Sequence, residues 1–185
     1  VVQFFFPLAI AGALWLRLPA YVWLALFALT LLIYWNSFKG GVPLYLSNKT
    51  TWSALDGLLS GKSEIRFVDL GGGIGGTALY LARNRSDGSF VSVESAPILS
   101  AISWLRKTVS GRSNINMVHG DIWNQSLEPF DVAYAFLSPQ PMADLYDKAL
   151  REMRQGALFI SNSFGVPGHD ADDIFELEDD RRTRL

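Results

Sequence analysis

The chain has 185 residues, a formal net charge of −2, two histidines and no cysteine. The lack of cysteine excludes disulfides, zinc–thiolate sites and cysteine nucleophiles, and two histidines are too few for a histidine-based metal cluster. We therefore predict no metal site. The sequence contains no basic stripe, which argues against nucleic acid as a partner.

The first 35 residues contain only one charged side chain, Arg17. One straight helix of this length would extend about 52 Å, whereas the hydrocarbon core of a bilayer is roughly 30 Å thick. The break around Pro19 instead separates two apolar segments, 4–16 and 20–35, that carry aromatic residues suited to membrane interfaces. We predict a membrane-anchoring helical hairpin over residues 1–36 that contacts membrane lipids. A single span with an interfacial piece and a pair of core helices are the alternatives.

Residues 37–63 are predicted to form a linker and a leading helix, which is capped near Ser47 or Asn48. Residues 64–185 are predicted to form the main domain. Lysines that follow the apolar segments are typical of the cytoplasmic side of a membrane, so we place this domain on that side. The acidic tail that begins at Asp170 is either a β-hairpin or disordered.

A glycine-rich turn between a strand and a helix is the most telling pattern. An apolar strand over 65–68 leads into an acid and five glycines within six residues, and helical periodicity then resumes. Glycine lets the backbone turn sharply and approach a ligand, and the amides at the start of the next helix point toward that ligand. The order Asp-Leu-Gly-x-Gly-x-Gly resembles motif I of class I S-adenosylmethionine (SAM) methyltransferases. The alternatives are a dinucleotide-binding turn and a tight turn without a ligand. The resemblance places four residues at the methionine end of SAM: Asp69, Gly71, Gly73 and Gly75.

Two further acids follow predicted strands. Glu94 ends a strand over 89–94, where an acid can accept hydrogen bonds from both ribose hydroxyls of SAM or NAD; a solvated strand-end carboxylate is the alternative. Asp121 follows a strand that begins at Ile115, within the Gly-Asp-Ile sequence usual in methyltransferases. By that resemblance Asp121 accepts from the adenine amino group and Ile122 covers the adenine face. A dinucleotide dehydrogenase has no general need for this third acid, so we favour SAM over NAD as the cofactor.

The loop after the fourth predicted strand, 130–137, is the expected border of the acceptor pocket. Amine-methylating families often carry Asn/Asp-Pro-Pro-Tyr/Phe here, whereas this chain has Ser138-Pro139-Gln140-Pro141. Ser138 and Gln140 are the candidates for orienting the acceptor, and a plain loop is the alternative. A further helix and a fifth strand complete the predicted fold. That fold is α/β, with a doubly wound, mostly parallel sheet of the Rossmann-like class I methyltransferase type.

The whole pattern resembles the membrane-anchored class I methyltransferases related to the ATP synthase c-subunit lysine methyltransferase family, over residues 35–165. The shared features are the apolar N-terminus, the glycine turn, Gly-Asp-Ile-Trp and Phe-Leu-Ser-Pro-Gln-Pro-Met. The resemblance implies Nε-methylation of a lysine in a membrane protein, with Tyr45 in the acceptor pocket. That family has Tyr-Val-Pro-Ser/Thr where this chain has Tyr45-Leu46-Ser47, without the proline.

Two other functions remain open at the level of the sequence. One is methylation of a lipid or lipophilic small molecule, because an anchored domain would hold its pocket at the bilayer. The other is an NAD-dependent oxidoreductase or a nucleotide-binding module, because the glycine turn and Glu94 fit NAD as well.

Overall fold

The computed structural model describes residues 19–33 and 45–185. These residues belong to two compact units, Val1–Ile33 and Tyr34–Leu185. The first unit contributes helix α1 (Ala20–Ile33), which forms the second apolar segment of the predicted hairpin. The first apolar segment, 4–16, lies outside the described residues. In the parts of the chain that are described, no helix combines the length and the apolar character needed to cross a membrane.

The second unit is built on a sheet of five parallel strands in the order β3-β2-β1-β4-β5. The strands are β1 (Arg66–Leu70), β2 (Ser89–Glu94), β3 (Ile115–His119), β4 (Val132–Ala135) and β5 (Leu158–Ser161). This arrangement confirms the predicted parallel, Rossmann-like sheet. The strand order reverses between β1 and β4, and ligands of such sheets bind at this point, beyond the carboxyl ends of the strands.

Within residues 45–185, four α-helices accompany the sheet. They are α2 (Lys49–Leu58), α3 (Gly76–Asn84), α4 (Pro97–Ser110) and α5 (Met142–Glu152). The side chain of Asn48 caps α2 by accepting a hydrogen bond from the amide of Thr51, so Asn48 is the cap among the two predicted. A 3₁₀ turn, Ile122–Asn124, follows β3. The sequence did not predict α4.

Alternating side chains of the strands divide the core between the two faces of the sheet. Phe67 and Phe90 are fully buried on one face, among residues of α2 and α3. Val68 and Leu70 are fully buried on the other face, where α5 contributes Leu145. The odd and even positions of a strand therefore both face apolar cover, as is typical of parallel sheets.

The acidic tail forms a short antiparallel hairpin. Glu176 and Arg184 make an isolated β-bridge, and backbone hydrogen bonds join Phe175 to Leu185 in both directions. Of the two alternatives predicted for this tail, a β-hairpin or disorder, the structure therefore has the hairpin.

Candidate active site

The glycine turn joins the carboxyl ends of β1 and β2. The amides of Gly71 and Gly72 both donate to the carbonyl oxygen of Val93, at 2.9 and 3.0 Å. Gly71, Gly73 and Gly75 have φ of +79°, +57° and +73°, which side chains with a Cβ rarely adopt. Gly75 is the residue that precedes the first turn of α3. The turn thus has a fixed shape at the position where the strand order reverses.

Side chains packed against the turn leave no room for a Cβ at two of its glycines. A Cβ added to Gly72 would lie 2.0 Å from Oγ of Ser92 and 2.9 Å from Oδ2 of Asp69. A Cβ added to Gly71 would lie 2.7 Å from Cδ2 of Leu137. Internal packing therefore explains part of the glycine density that the sequence interpretation assigned to ligand approach.

The carboxylate of Glu94 fixes the glycine turn through hydrogen bonds to backbone amides. Its side chain is 3% exposed. Oε2 accepts a hydrogen bond from the amide of Gly73 at 2.9 Å, and Oε1 accepts from the amide of Ala96 at 2.7 Å. A carboxylate can accept about four hydrogen bonds, so its chemistry suits hydroxyl donors in addition to these amides. The residue predicted to bind ribose therefore also fixes the path of the glycine turn.

A chain of hydrogen bonds connects Asp69 to the segment before α2. The side chains of Thr77 and Asp69 are hydrogen-bonded, and this bond opposes the rise in the pKa of Asp69. The hydroxyls of Thr77 and Ser47 lie 2.9 Å apart, and either can be the donor. The indole Nε1 of Trp52 donates to Ser47 at 2.7 Å. The chain runs from Trp52 through two hydroxyls to a buried acid.

The pKa of Asp69 is raised to about 7, first by burial and second by the charge of Glu94, although the hydrogen bond from Thr77 opposes the shift. In the unfolded chain an aspartate titrates near 3.9. Between about pH 4 and 7 the folded protein therefore binds one more proton than the unfolded chain, so stability contributed by protonated Asp69 falls as pH rises through this window.

We expect Asp69→Asn to remove this dependence. The free energy of unfolding of the wild-type protein, measured by denaturant titration, should decrease from about pH 4 to 7 relative to that of Asp69→Asn. The two proteins should then change in parallel above that window. Curves that stay parallel throughout the window would contradict the raised pKa.

A cleft of about 110 Å³ opens above Asp69 and the glycine turn. Its aromatic wall consists of Tyr45 and Phe136, whose rings are stacked with centroids 5.1 Å apart. Phe164 extends this group, with its ring centroid 5.3 Å from that of Tyr45. The cleft thus combines a buried acid at its base with an aromatic side. We call Tyr45 and Phe136 the aromatic wall; Phe164 contacts both rings but does not line the cleft.

Tyr134 lies at the base of the cleft and is 1% exposed. Its hydroxyl oxygen accepts a hydrogen bond from Nδ2 of Asn162 at 2.7 Å. Burial, and after it the charge of Asp69, raise the pKa of Tyr134. Tyr134 therefore stays a neutral phenol beside the acid.

Arg106 of α4 also lines the cleft. Its guanidinium Nη1 donates to the carbonyl oxygen of Ile74 in the glycine turn at 2.5 Å. Burial, followed by the charge of Arg83, lowers the pKa of Arg106. The guanidinium of Arg106 thus places a positive charge beside the glycine turn, opposite in sign to the charge of an ionised Asp69.

Asp121 and Ile122 lie beyond the carboxyl end of β3. Asp121 is exposed, and its Oδ1 accepts from the amide of Trp123 at 3.1 Å, which caps the 3₁₀ turn. The amide of Gly120 donates to the carbonyl oxygen of Glu94 at 3.1 Å. The loop with Asp121 and Ile122 is therefore tied to the end of β2, next to the predicted ribose acid.

The three residues predicted for the acceptor pocket do not all lie at the cleft. Tyr45 lines the cleft together with Asp69 and Gly71. Ser138 is buried and Gln140 is exposed, and neither lines this cleft. From β4 and the residue after it, Tyr134 and Phe136 face the cleft instead. The other predicted residues lie along the turn and strand ends.

Several residues that line the cleft were not predicted from the sequence as site residues: Ser47, Trp52, Thr77, Arg106, Tyr134 and Phe136. Thr77 carried the clearest signal, because a hydroxyl directly after a glycine turn faces the ligand side of the helix start. The remaining residues come from separate elements, and only the tertiary fold brings them together.

The C-terminal hairpin holds the segment that carries Tyr45 and Ser47. Nδ2 of Asn48 donates to Oδ2 of Asp179 at 2.9 Å, across 131 positions of sequence. Asp179 also accepts from the amide and the hydroxyl of Thr183, at 2.9 and 2.7 Å. The backbone and hydroxyl hydrogen bonds of Thr183 lower the pKa of Asp179 to about 2. Asp179 thus stays a charged link between the hairpin and the edge of the cleft.

We expect Asp179→Ala to loosen this segment, because Asn48 loses its partner in the hairpin. Amide hydrogen exchange should therefore rise over residues 45–52. The neighbouring exposed acid gives a matched control, and Asp180→Ala should leave the exchange rates of this segment unchanged. Equal behaviour of the two variants would contradict the role of Asp179.

The donors and acceptors of the site fit SAM. The cofactor carries an ammonium and a carboxylate at its methionine end, two ribose hydroxyls and an adenine amino group. The structure provides the acids Asp69, Glu94 and Asp121 at three successive strand ends, and the cation of Arg106 beside the first of them. These side chains have the charges and acceptors that the ammonium, carboxylate, ribose hydroxyls and adenine amino group of SAM would need.

Comparisons with known proteins agree with this chemistry. Residues 69–173 match the family described as the ANTKMT methyltransferase domain. The chain is also similar to an RNA methyltransferase from Salinibacter ruber in complex with S-adenosyl-L-homocysteine, with a TM-score of 0.68 and 18% identity over 76% of this chain and 90% of that chain. No curated protein matches the sequence.

Two further solved structures share the fold. A precorrin-6y C5,15-methyltransferase from Geobacter metallireducens has a TM-score of 0.57 and 13% identity over 63% of this chain and 62% of that chain. A SAM-dependent methyltransferase from Geobacter sulfurreducens, in complex with S-adenosyl-L-homocysteine, has a TM-score of 0.55 and 20% identity over 62% of this chain. The match spans 48% of that protein's length.

Proposed function

The chain belongs to the ANTKMT methyltransferase domain family and is a SAM-dependent methyltransferase, and we propose that its acceptor is the side-chain amine of a lysine in a membrane protein. The observation that carries this proposal is the aromatic wall above Asp69, which gives the cleft an apolar, electron-rich side. Because the chain is a methyltransferase, we do not propose the alternative of an NAD-dependent oxidoreductase.

The aromatic wall suits an amine at both stages of its reaction. A lysine ammonium that enters the cleft would be attracted to the rings of Tyr45 and Phe136. Burial against the same rings then disfavours the charged form and lowers the pKa of the amine. The neutral amine, with its lone pair available, is the nucleophile that methyl transfer needs.

The other residues of the site hold and align the partners. When bound, SAM supplies a sulfonium-activated methyl group that a neutral amine can take. Asp69 would hold the methionine end, Glu94 the ribose and Asp121 the adenine, while Ile122 would cover the adenine face. Because Glu94 also fixes the glycine turn, the same carboxylate would bind the cofactor and position the turn. Such alignment is the main contribution a protein can make to a displacement of this kind.

Residues 1–36 are proposed to anchor the enzyme in a membrane, with the methyltransferase domain on the cytoplasmic side. The support for this part is helix α1, which has no charged residue and exposes large apolar side chains, among them Tyr21, Leu24 and Phe27. Exposed apolar helices are stable in contact with lipid. A membrane location would bring the cleft to acceptors in the bilayer.

The proposal is tested by following a labelled methyl group. Purified protein is incubated with methyl-labelled SAM and isolated membranes, and protein and lipid fractions are then separated. We expect the label in protein, on lysine, as shown by mass spectrometry of peptides. Glu94→Ala protein provides the background. Label in the lipid fraction would replace the lysine proposal with the lipid alternative, and label on another residue type would contradict it as well.

A pair of substitutions tests the aromatic wall. Tyr45→Leu removes the ring, whereas Tyr45→Phe keeps it and removes only the hydroxyl. A cation–π contact is worth about 0.5–2 kcal/mol, so Tyr45→Leu should lower kcat/KM for the amine roughly 10-fold, and Tyr45→Phe much less. The affinity for SAM, measured by calorimetry, should be unchanged in both. Equal losses in the two variants would point to the hydroxyl instead of the ring.

A further inference from the structure

Helix α4 (Pro97–Ser110) has its polar and apolar residues reversed relative to an ordinary surface helix. The residues it buries are Leu99, Ser100 and Ser103. Four large apolar side chains face outward instead: Ile102 at 39% exposure, Trp104 at 59%, Leu105 at 57% and Val109 at 80%. We call these four residues the outer apolar face of α4.

Helix α5 (Met142–Glu152) shows the usual pattern in the same domain. It buries Met142 and Leu145, and it exposes Asp144 and Asp147. A surface helix normally turns its apolar stripe to the core in this way. Core packing among residues 45–185 therefore does not account for the outer apolar face of α4, and a contiguous exposed apolar patch marks an interaction site.

The charges around this face are positive. Helix α4 contains no acidic residue, and Arg106 and Lys107 lie on the two borders of the outer apolar face. Arg112 follows the helix directly, and Arg83 of α3 is close enough to Arg106 to affect it electrostatically. An apolar face with tryptophan at its side and cations at its borders complements a membrane surface with anionic headgroups.

We propose that the outer apolar face of α4 docks on the surface of an anionic bilayer. This contact would be separate from the proposed anchor over residues 1–36, and it rests on the proposed function only in taking the acceptor to be a membrane protein. Arg106 belongs to the same helix and lines the cleft. Docking through α4 would thus hold the cleft close to the headgroups, where a lysine at the end of a membrane span would lie.

The chain has no cysteine, so one introduced thiol reports on one position. The full chain carrying Val109→Cys is labelled with the environment-sensitive dye NBD and mixed with vesicles of phosphatidylcholine, with or without phosphatidylserine. Leu150→Cys is the matched control. Leu150, like Val109, is an exposed aliphatic residue, with 62% of its surface accessible, but it lies on α5 over the other face of the sheet. Lipids with a quencher in the acyl chain show whether the dye enters the bilayer.

We expect a blue shift and gain in NBD emission at position 109 with phosphatidylserine vesicles, quenching by the acyl-chain quencher, and no such change at position 150. Vesicle binding with a dye at 109 that stays in a polar environment would overturn the inference, while leaving the methyl acceptor untouched. A blue shift without lipid that grows with protein concentration would overturn it in favour of a second copy of the chain. Equal insertion of both positions would also overturn it.

Discussion

Glu94→Ala should abolish measurable SAM binding at cofactor concentrations that saturate the wild-type protein. The substitution removes the acceptor proposed for both ribose hydroxyls and the acceptor for the amides of Gly73 and Ala96. A hydrogen bond to a charged group is worth about 1.5–3 kcal/mol, so the loss of two predicted ribose bonds corresponds to roughly a 100-fold or larger fall in affinity. Calorimetric titration with SAM measures it directly.

Two further variants separate binding from folding. Glu94→Gln keeps the side-chain shape and one acceptor oxygen, so it should retain a wild-type thermal transition more closely and still bind SAM weakly. Glu128→Ala removes an exposed acid outside the cleft and should leave the affinity unchanged. Wild-type affinity in a folded Glu94→Ala protein would contradict the ribose assignment.

Gly72→Ala should destabilise the domain, although alanine is the smallest possible replacement. The new methyl group would lie 2.0 Å from Oγ of Ser92 and 2.9 Å from Oδ2 of Asp69, both buried. Overpacking of this kind costs about 1–3 kcal/mol. The expected result is a lower midpoint of denaturant unfolding with the same dependence on denaturant concentration.

Ser92 provides the matched test of this clash. Its hydroxyl is buried and has no hydrogen-bond partner among the residues that the structure describes. Ser92→Ala should therefore be neutral or stabilising, because it removes an unsatisfied polar group. The double variant should recover part of the stability that Gly72→Ala loses, which a double-mutant cycle detects. Strictly additive effects would show that the two groups do not meet.

The sheet was predictable because each strand is a short apolar run that ends in an acid or a turn. The prediction over 89–94 coincides with β2, whereas β4 is shorter than the predicted 130–137. Helix α4 was not predicted, although Pro97 begins it and Gly111 follows its last residue. Its apolar residues face outward and its serines face inward, so the sequence does not show which of its faces packs on the core.

The site was predictable only where it follows the strand ends. Asp69, Glu94 and Asp121 could be grouped because parallel strands present their carboxyl ends at one edge. The chain of hydrogen bonds from Trp52 to Asp69 could not, because it depends on how the segment before α2 packs on α3. The link from Asn48 to Asp179 joins residues that no local pattern relates.

Calorimetric titration of the wild-type protein with SAM, S-adenosylhomocysteine and NAD tests the central assignment most directly. We expect SAM and S-adenosylhomocysteine to bind and NAD not to bind, because the carboxylate of Asp69 at the glycine turn suits the ammonium of the methionine end, whereas NAD would bring a negatively charged pyrophosphate to this turn. Binding of NAD without either sulfur compound would contradict the assignment of Asp69, Glu94 and Asp121 to a methyltransferase site.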